Sequence, residues 1–372
     1  MNHSRPLIVR FGALGDMVIL TALIRALRQR FDTQIDVACG GWLRPLLEGQ
    51  PDVGRIYSLY TRQLPYALNP QQWLFVQRLR ARGPGPVWIC QTDQVSHELV
   101  RRAGYDPRWF VSQRDFPPIP GHYVDCLLRM AMATPPMLDQ TRASVMAPRV
   151  APKLLAQPKW RDEARTWLAQ RGLERRPIIL IQAGNKRTMR LGSRRRLRNK
   201  KYWPEQRWAE VIDRIHALSP NAAILLLGVA FESQLNRAIL HHVRTSTAFD
   251  VAGDIPMQRL IALCEQAIGM ISVDTGPAHV AAAVGCPLVV MFGCQDPNFY
   301  APRSETGPVE VISGDRTADH PLLAITPDAV LAAWDRVRTH SVGGDSEIGN
   351  QTLEQGRPAS GERTCCLRPL SS

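Results

Sequence analysis

The sequence predicts an α/β protein with two halves, each a parallel sheet wound with helices. Three observations carry that expectation. Short apolar runs alternate with segments of helical periodicity. The alternation occurs on both sides of a Pro- and Ala-rich stretch at residues 133–159, which reads as a connection between domains. At 372 residues and 45% hydrophobic, the chain can bury a core in each half.

Leu7-Ile8-Val9-Arg10 reads as the first strand. Beyond a glycine-rich turn, Val18, Ala22 and Ala26 recur near one helical face, while Arg25, Arg28, Gln29 and Arg30 fall largely elsewhere, giving a βα opening. Residues 35–39 and 87–90 read as further strands, 42–47 as a short helix and 122–132 as the helix that closes this half. A helix over 160–171 leads to the second half, with strands near 178–181, 223–227, 249–251 and 309–312. Helices are expected over 206–218, 232–243 and 257–266, and Thr326-Pro327-Asp328 starts a last helix to about Thr339. The expected boundaries are 1–150 for the first half, 151–175 for the linker and its helix, and 176–340 for the second half. Residues 341–372, rich in Gly, Ser, Pro and charge without apolar periodicity, read as a disordered tail.

Composition narrows the function. No apolar run approaches the roughly 18 residues of a membrane span, and residues 1–5 lead into a strand rather than a signal sequence, so a cytoplasmic protein is expected. The eight cysteines are scattered with no Cys-x-x-Cys pair, which favours free thiols; Cys365-Cys366 in the tail has no histidine nearby. Nine cationic residues fall between Lys186 and Lys201, with no acid among them, in a chain of net charge +13. A local basic cluster, not a uniformly basic surface, requires an account.

The most informative segment is Asp274-Thr275-Gly276-Pro277-Ala278-His279. The apolar run 268–273 precedes it, a small-residue helix follows with Pro277 in its first turn, and Gly285 and Pro287 end that helix before the strand at 288–293. Such a βαβ unit sets a helix N-terminus at the carboxyl edge of a parallel sheet. Unpaired N–H groups and the positive end of the helix dipole make phosphate the expected guest.

Asp-Thr-Gly-Pro-x-His-x-Ala-Ala-Ala-x-Gly-x-Pro resembles the donor-site signature of the heptosyltransferases, glycosyltransferase family 9. Two more stretches, in the family's order, are similar to its motifs: Arg10 to Val18 with Gly12, Gly15 and Asp16, and Lys201-Tyr202-Trp203-Pro204 with Trp208 behind it. The resemblance covers roughly residues 6–335. It implies the GT-B arrangement, two Rossmann-like domains facing a cleft, and a metal-independent, inverting transfer of a heptose, with ADP-heptose as expected donor and a lipopolysaccharide core or related surface glycan as acceptor. A nucleotide-sugar donor, an anionic glycolipid acceptor and peripheral contact with the inner membrane surface are the implied partners. No metal ligand is expected. The chain contains no Asp-x-Asp pair, the divalent-cation motif of the other major glycosyltransferase fold.

By resemblance, Thr275 and Gly276 cradle the donor diphosphate, Lys201 contacts its phosphates, His279 touches phosphate or ribose, and Glu232 serves the nucleoside end. Gly184 and Asn185 stand where the family carries a phosphate-facing turn, although hydroxyl residues are common there. From residue type alone, Asp274 fits a helix cap or a donor contact, His279 a packed histidine, and Lys201 a solvated lysine. Asp16 fits an N-cap or, by resemblance, the general base that deprotonates the acceptor. Gly12 and Gly15 belong to its loop on the acceptor side, and Arg194, Arg195 and Arg196 are assigned to an anionic acceptor. Nucleic acid is disfavoured because aromatic residues do not interleave with the charges. Thr21-Ala22 replaces a frequent Thr-Pro, and Gln91, with Asp93 nearby, stands where an acid is expected, so both departures fall on the acceptor side. The competing readings are transfer from another nucleotide sugar and a non-catalytic nucleotide- or anionic-glycan-binding protein.

Overall fold

The computed structural model describes residues 5–62, 64–116, 120–138, 150–185 and 199–342. The first sheet comprises β1 (Leu7–Val9), β2 (Ile35–Gly40), β3 (Val53–Leu59), β4 (Val87–Ile89) and β5 (Phe110–Ser112), in the order β3-β2-β1-β4-β5 with every pairing parallel. The second comprises β6 (Ile178–Gln182), β7 (Ala223–Leu226), β8 (Ala248–Asp250), β9 (Gly269–Val273), β10 (Leu288–Phe292) and β11 (Val309–Ser313), all parallel in the order β11-β10-β9-β6-β7-β8. The central strands are apolar runs buried along their whole length, as expected of strands covered on both faces.

The helices are α1 (Leu14–Phe31), α2 (Arg44–Leu47), α3 (Pro70–Arg82), α4 (Gln94–Arg102), α5 (Tyr123–Met132), α6 (Pro158–Ala169), α7 (Glu205–Leu218), α8 (Ser233–Leu240), α9 (Met257–Gln266), α10 (Gly276–Val284), α11 (Pro297–Tyr300) and α12 (Pro327–Val342). The expected helix over 232–243 is instead a 3-10 turn, Ala230–Glu232, followed by the shorter α8. The last helix runs past Thr339 to Val342, and beyond it the expected tail lies outside the described residues.

Strand order reverses at β1/β4 in the first sheet and at β6/β9 in the second, which places a crevice beyond the carboxyl ends of each pair. The two crevices meet. One apolar cluster joins Ile8, Trp88, Leu23 and Leu127 of the first half to Ile261, Val280 and Ala281 of the second. Around it the seam is polar: Arg303 grips Asp125 through both guanidinium nitrogens at 2.6 and 2.9 Å, and Arg25 pairs with Glu305. The chain crosses between the sheets with Lys153 N donating to Thr21 Oγ1 at 3.0 Å and Leu154 N to the Ala283 carbonyl at 2.9 Å.

Candidate functional site

Two helix N-termini, those of α1 and α10, abut across the seam. A methyl at Gly276 would sit 2.7 Å from Leu14 Cβ, and one at Gly15 would sit 2.9 Å from His279 Cδ2, so both glycines permit an approach that any side chain would block. The sequence positions α10 as expected: Pro277 occupies the first turn, and Gly285 ends the helix in the left-handed region at φ 87°. Its N-cap is Thr275, not Asp274. The Thr275 hydroxyl turns back to the Val273 carbonyl, 3.2 Å away, so no side chain caps the helix and its leading amides face the crevice.

Asp274 is instead bound to Lys201, whose Nζ donates to the Asp274 carboxylate and to its carbonyl, both at 2.6 Å. The carboxylate beside the N-terminus of α10 is therefore neutralised locally, and the ammonium is fixed at the mouth of that helix. Lys201 reaches there because Trp203 and Trp208 are buried edge to face behind it, and Trp203 Nε1 donates to the Ile325 carbonyl at 3.0 Å. Lys201 N also donates to Asn199 Oδ1, and Asn199 Nδ2 to Asn185 Oδ1, at 2.9 and 3.3 Å, tying Asn185 to the same corner. Between those asparagines, residues 186–198, with Arg194, Arg195 and Arg196, lie outside the described residues.

On the other side of β6, Gln182 Nε2 donates to the Gly184 carbonyl at 2.8 Å and to Glu232 Oε1 at 3.2 Å. Glu232 is buried beneath Gly228, whose missing side chain leaves room for Glu232 Cβ. Burial pushes its carboxyl up to about 6, against the opposing pull of hydrogen bonds from Val229 N–H and Gln182. Burial drives His279 down to about 4, despite the nearby carboxylates of Asp274 and Asp16, so its imidazole is neutral at pH 7.

Asp16 lies in the first turn of α1, where the N-cap is Ala13 rather than Asp16. Its Oδ2 accepts from Ala13 N at 2.9 Å and faces Arg10 Nη2 at 3.3 Å. Gly12 makes this possible, since a methyl there would lie 2.7 Å from Asp16 Oδ2. Arg10 Nη1 in turn donates to the Cys90 carbonyl at 2.5 Å, which locks the ends of β1 and β4 together. Gln91 accepts from Phe11 N, and Asp93 caps α4 while pairing with Arg62 at 3.1 Å, so both residues at the expected acidic position support the loop.

Sequence reasoning passed over Arg10, His122, Tyr123 and Tyr300. Burial raises the Tyr300 phenol, reinforced by Asp16 and opposed by Arg10, which places this tyrosine of the second half in the field of the first. His122 accepts from Val124 N and donates from Nε2 to the Ala301 carbonyl at 2.7 Å. The available signal was a charged or aromatic residue directly after an apolar strand or at a helix start; its partners are remote in sequence. Among the described residues no group of three or more His, Cys, Asp or Glu side chains could hold a metal ion, and no helix is long and apolar enough to cross a membrane.

Residues 144–319 match glycosyltransferase family 9 (heptosyltransferase). Lipopolysaccharide heptosyltransferase 3 of Escherichia coli is 22% identical over 89% of this chain and 98% of its own length. Lipopolysaccharide heptosyltransferase 2 of Salmonella typhimurium is 25% identical over 86% and 94%. The solved ADP-heptose lipopolysaccharide heptosyltransferase II of Escherichia coli superposes with a TM-score of 0.72 at 20% identity, covering 91% of this chain and all of that one, so the fold is the two-domain GT-B arrangement.

Proposed function

We propose that this chain, a glycosyltransferase of family 9, transfers a heptose from ADP-heptose to an anionic lipopolysaccharide core or related surface glycan, with inversion and without a metal ion. The observation that carries the proposal is the meeting of the uncapped N-terminus of α10 with the turn that bears Asp16. The names of the relatives support the choice of sugar, nucleotide and acceptor.

In this reading the donor diphosphate rests on the amides of Thr275 and Gly276 and beside Lys201, with Gly184 and Asn185 closing the corner and neutral His279 beneath. Glu232 receives the nucleoside end. An acceptor hydroxyl held over Gly12 and Gly15 gives its proton to Asp16 as its oxygen attacks the anomeric carbon from the face opposite the diphosphate. The carbon–oxygen bond to phosphate breaks, and ADP leaves with the bonding electrons. Helix dipole and ammonium stabilise the charge that develops on the leaving group, a contribution of several kcal/mol in related electrostatic sites, roughly 3–4 kcal/mol per well-placed donor.

Incubation of the purified protein with a panel of nucleotide sugars and a lipopolysaccharide-core acceptor, with and without chelator, tests the proposal through acceptor-dependent nucleoside diphosphate release. ADP-heptose is expected to be turned over in the presence of EDTA, and Asp16→Asn is expected to bind donor without turnover. Release from none of the sugars, or activity that disappears with EDTA and returns with magnesium, would overturn it.

A further inference from the structure

The first half displays an apolar surface that the transfer chemistry does not use. Tyr60, Leu64, Leu68, Trp73 and Leu74 are all exposed, Leu68 by 69% and Tyr60 by 70%, and exposed Trp42 follows Gly41, over which the Tyr60 ring lies. α3 buries Phe75, Val76 and Leu79 on one side yet turns Trp73 and Leu74 outward. The display is built into the fold. Gln72 Nε2 donates to the Leu64 carbonyl at 3.0 Å, Trp73 Nε1 to the Tyr66 carbonyl at 2.7 Å, and Asn69 both caps α3 and donates to the Thr61 carbonyl at 3.3 Å. A cluster of large apolar side chains held outward by buried polar residues marks an interaction site rather than scattered surface leucines.

Charge selects the occupant. From Tyr60 to Thr92 the sequence contains no Asp or Glu, and Arg78 and Arg80 lie exposed on the same helix. Aromatic and leucine side chains among arginines, on a segment without a carboxylate of its own and beside Asp93 and Glu98 that are paired with Arg62 and Arg102, match the boundary of an anionic bilayer, where rings and aliphatic chains enter the headgroup region and guanidinium groups meet phosphate. The surface also borders the acceptor side of the cleft. Arg62 stacks 4.8 Å over the Phe11 ring, next to Gly12, while pairing with Asp93.

We propose that this face docks the protein on an anionic lipid surface, presenting the Asp16 side of the cleft to a lipid-borne acceptor; the second clause rests on the glycosyltransfer reading. The test uses the full chain with vesicles of phosphatidylcholine alone or mixed with phosphatidylglycerol, and the double variant Leu68→Glu/Leu74→Glu, whose changes lie at exposed positions away from the cleft. The wild type should co-sediment with the mixed vesicles and far less with neutral ones, and the variant should lose about tenfold or more of that partition at an unchanged melting temperature. Equal partition of variant and wild type, or no partition by the wild type, overturns the proposal. So does a dimer in sedimentation velocity that the variant dissociates while vesicle binding persists, because a second copy would then cover the face. Turnover separates the two readings: the variant should retain activity on a deacylated acceptor and lose it on a vesicle-embedded one. Failure of the wild type on both acceptors removes the glycosyltransfer reading and leaves the vesicle result to decide the docking surface.

Discussion

Arg10 and Asp16 meet across Gly12, with Arg10 Nη2 3.3 Å from Asp16 Oδ2, while the other guanidinium arm holds the Cys90 carbonyl at the end of β4. The arginine thus couples the carboxylate to the sheet beneath it. On the role proposed for Asp16, Arg10→Met is expected to lower kcat roughly 10- to 100-fold with little change in donor affinity, because misplacing the proposed base damages the chemical step more than binding. Arg10→Lys, which keeps the charge, should recover part of the loss. Steady-state kinetics with a donor titration checks the split, and a loss confined to donor affinity would contradict the assignment.

Gly15 offers a test whose sign depends on one partner. It lies within α1, where Ala normally stabilises a helix over Gly by roughly 0.5–1 kcal/mol. Here the added methyl meets the His279 ring at 2.9 Å, so Gly15→Ala should destabilise by about 1–3 kcal/mol through overpacking. In a His279→Ala background the obstacle is gone and the same change should become neutral or stabilising. Urea unfolding of the four proteins measures the coupling. An equal cost in both backgrounds would mean that the halves do not approach as closely as described.

Both sheets were legible in the sequence where strands are buried on two faces. β1 and β10 are unbroken apolar runs, β6 and β9 are interrupted only by Gln182 and Ser272, and Pro277 and Gly285 punctuate α10 at the expected points. β3 and β5, the edge strands of the first sheet, were not foreseen, although the edge strands β8 and β11 of the second were: β3 reads VGRIYSL, with Gly54, Arg55 and Ser58 interrupting its apolar positions, and β5 has three residues. α3 escaped notice for a related reason, since its outward Trp73 and Leu74 blur the helical periodicity. In the site, residue types were legible but partners were not. Asp274 was read as a cap or donor contact because nothing local reveals that Lys201, 73 positions away, takes its carboxylate.

The Lys201–Asp274 pair makes opposite predictions for its two members. Lys201→Met removes the cation at the mouth of α10 and leaves the largely buried Asp274 carboxylate unpaired beside the expected phosphates. ADP affinity should fall more than tenfold, and stability by about 1–3 kcal/mol. Asp274→Asn removes the anion but leaves the backbone carbonyl to hold Lys201, so ADP affinity should be maintained or increased. Isothermal titration of both variants with ADP separates them. Equal weakening would reduce the pair to a structural tie.

Glu232 makes stability depend on pH in a direction set by its burial. Its carboxyl titrates at about 6 in the folded protein against an ordinary value of 4.5, so the folded state holds the proton more tightly than the unfolded chain does. Ionisation therefore costs the fold: the group's contribution is fully present below about pH 4.5 and is lost as pH rises through 6. The difference corresponds to about 2 kcal/mol between pH 4.5 and neutral pH. Glu232→Gln keeps an acceptor for Val229 N–H without the ionisation, so the variant should gain on the wild type by that amount over the same interval. Comparing the variant with the wild type at each pH cancels the opposite trend from His279, whose depressed value stabilises the fold above about 6.5 and is lost as pH falls toward 4. Melting temperatures of the two proteins, measured side by side from pH 4.5 to 7.5, should diverge as pH rises; parallel curves would mean that the Glu232 carboxyl is not held protonated by its surroundings.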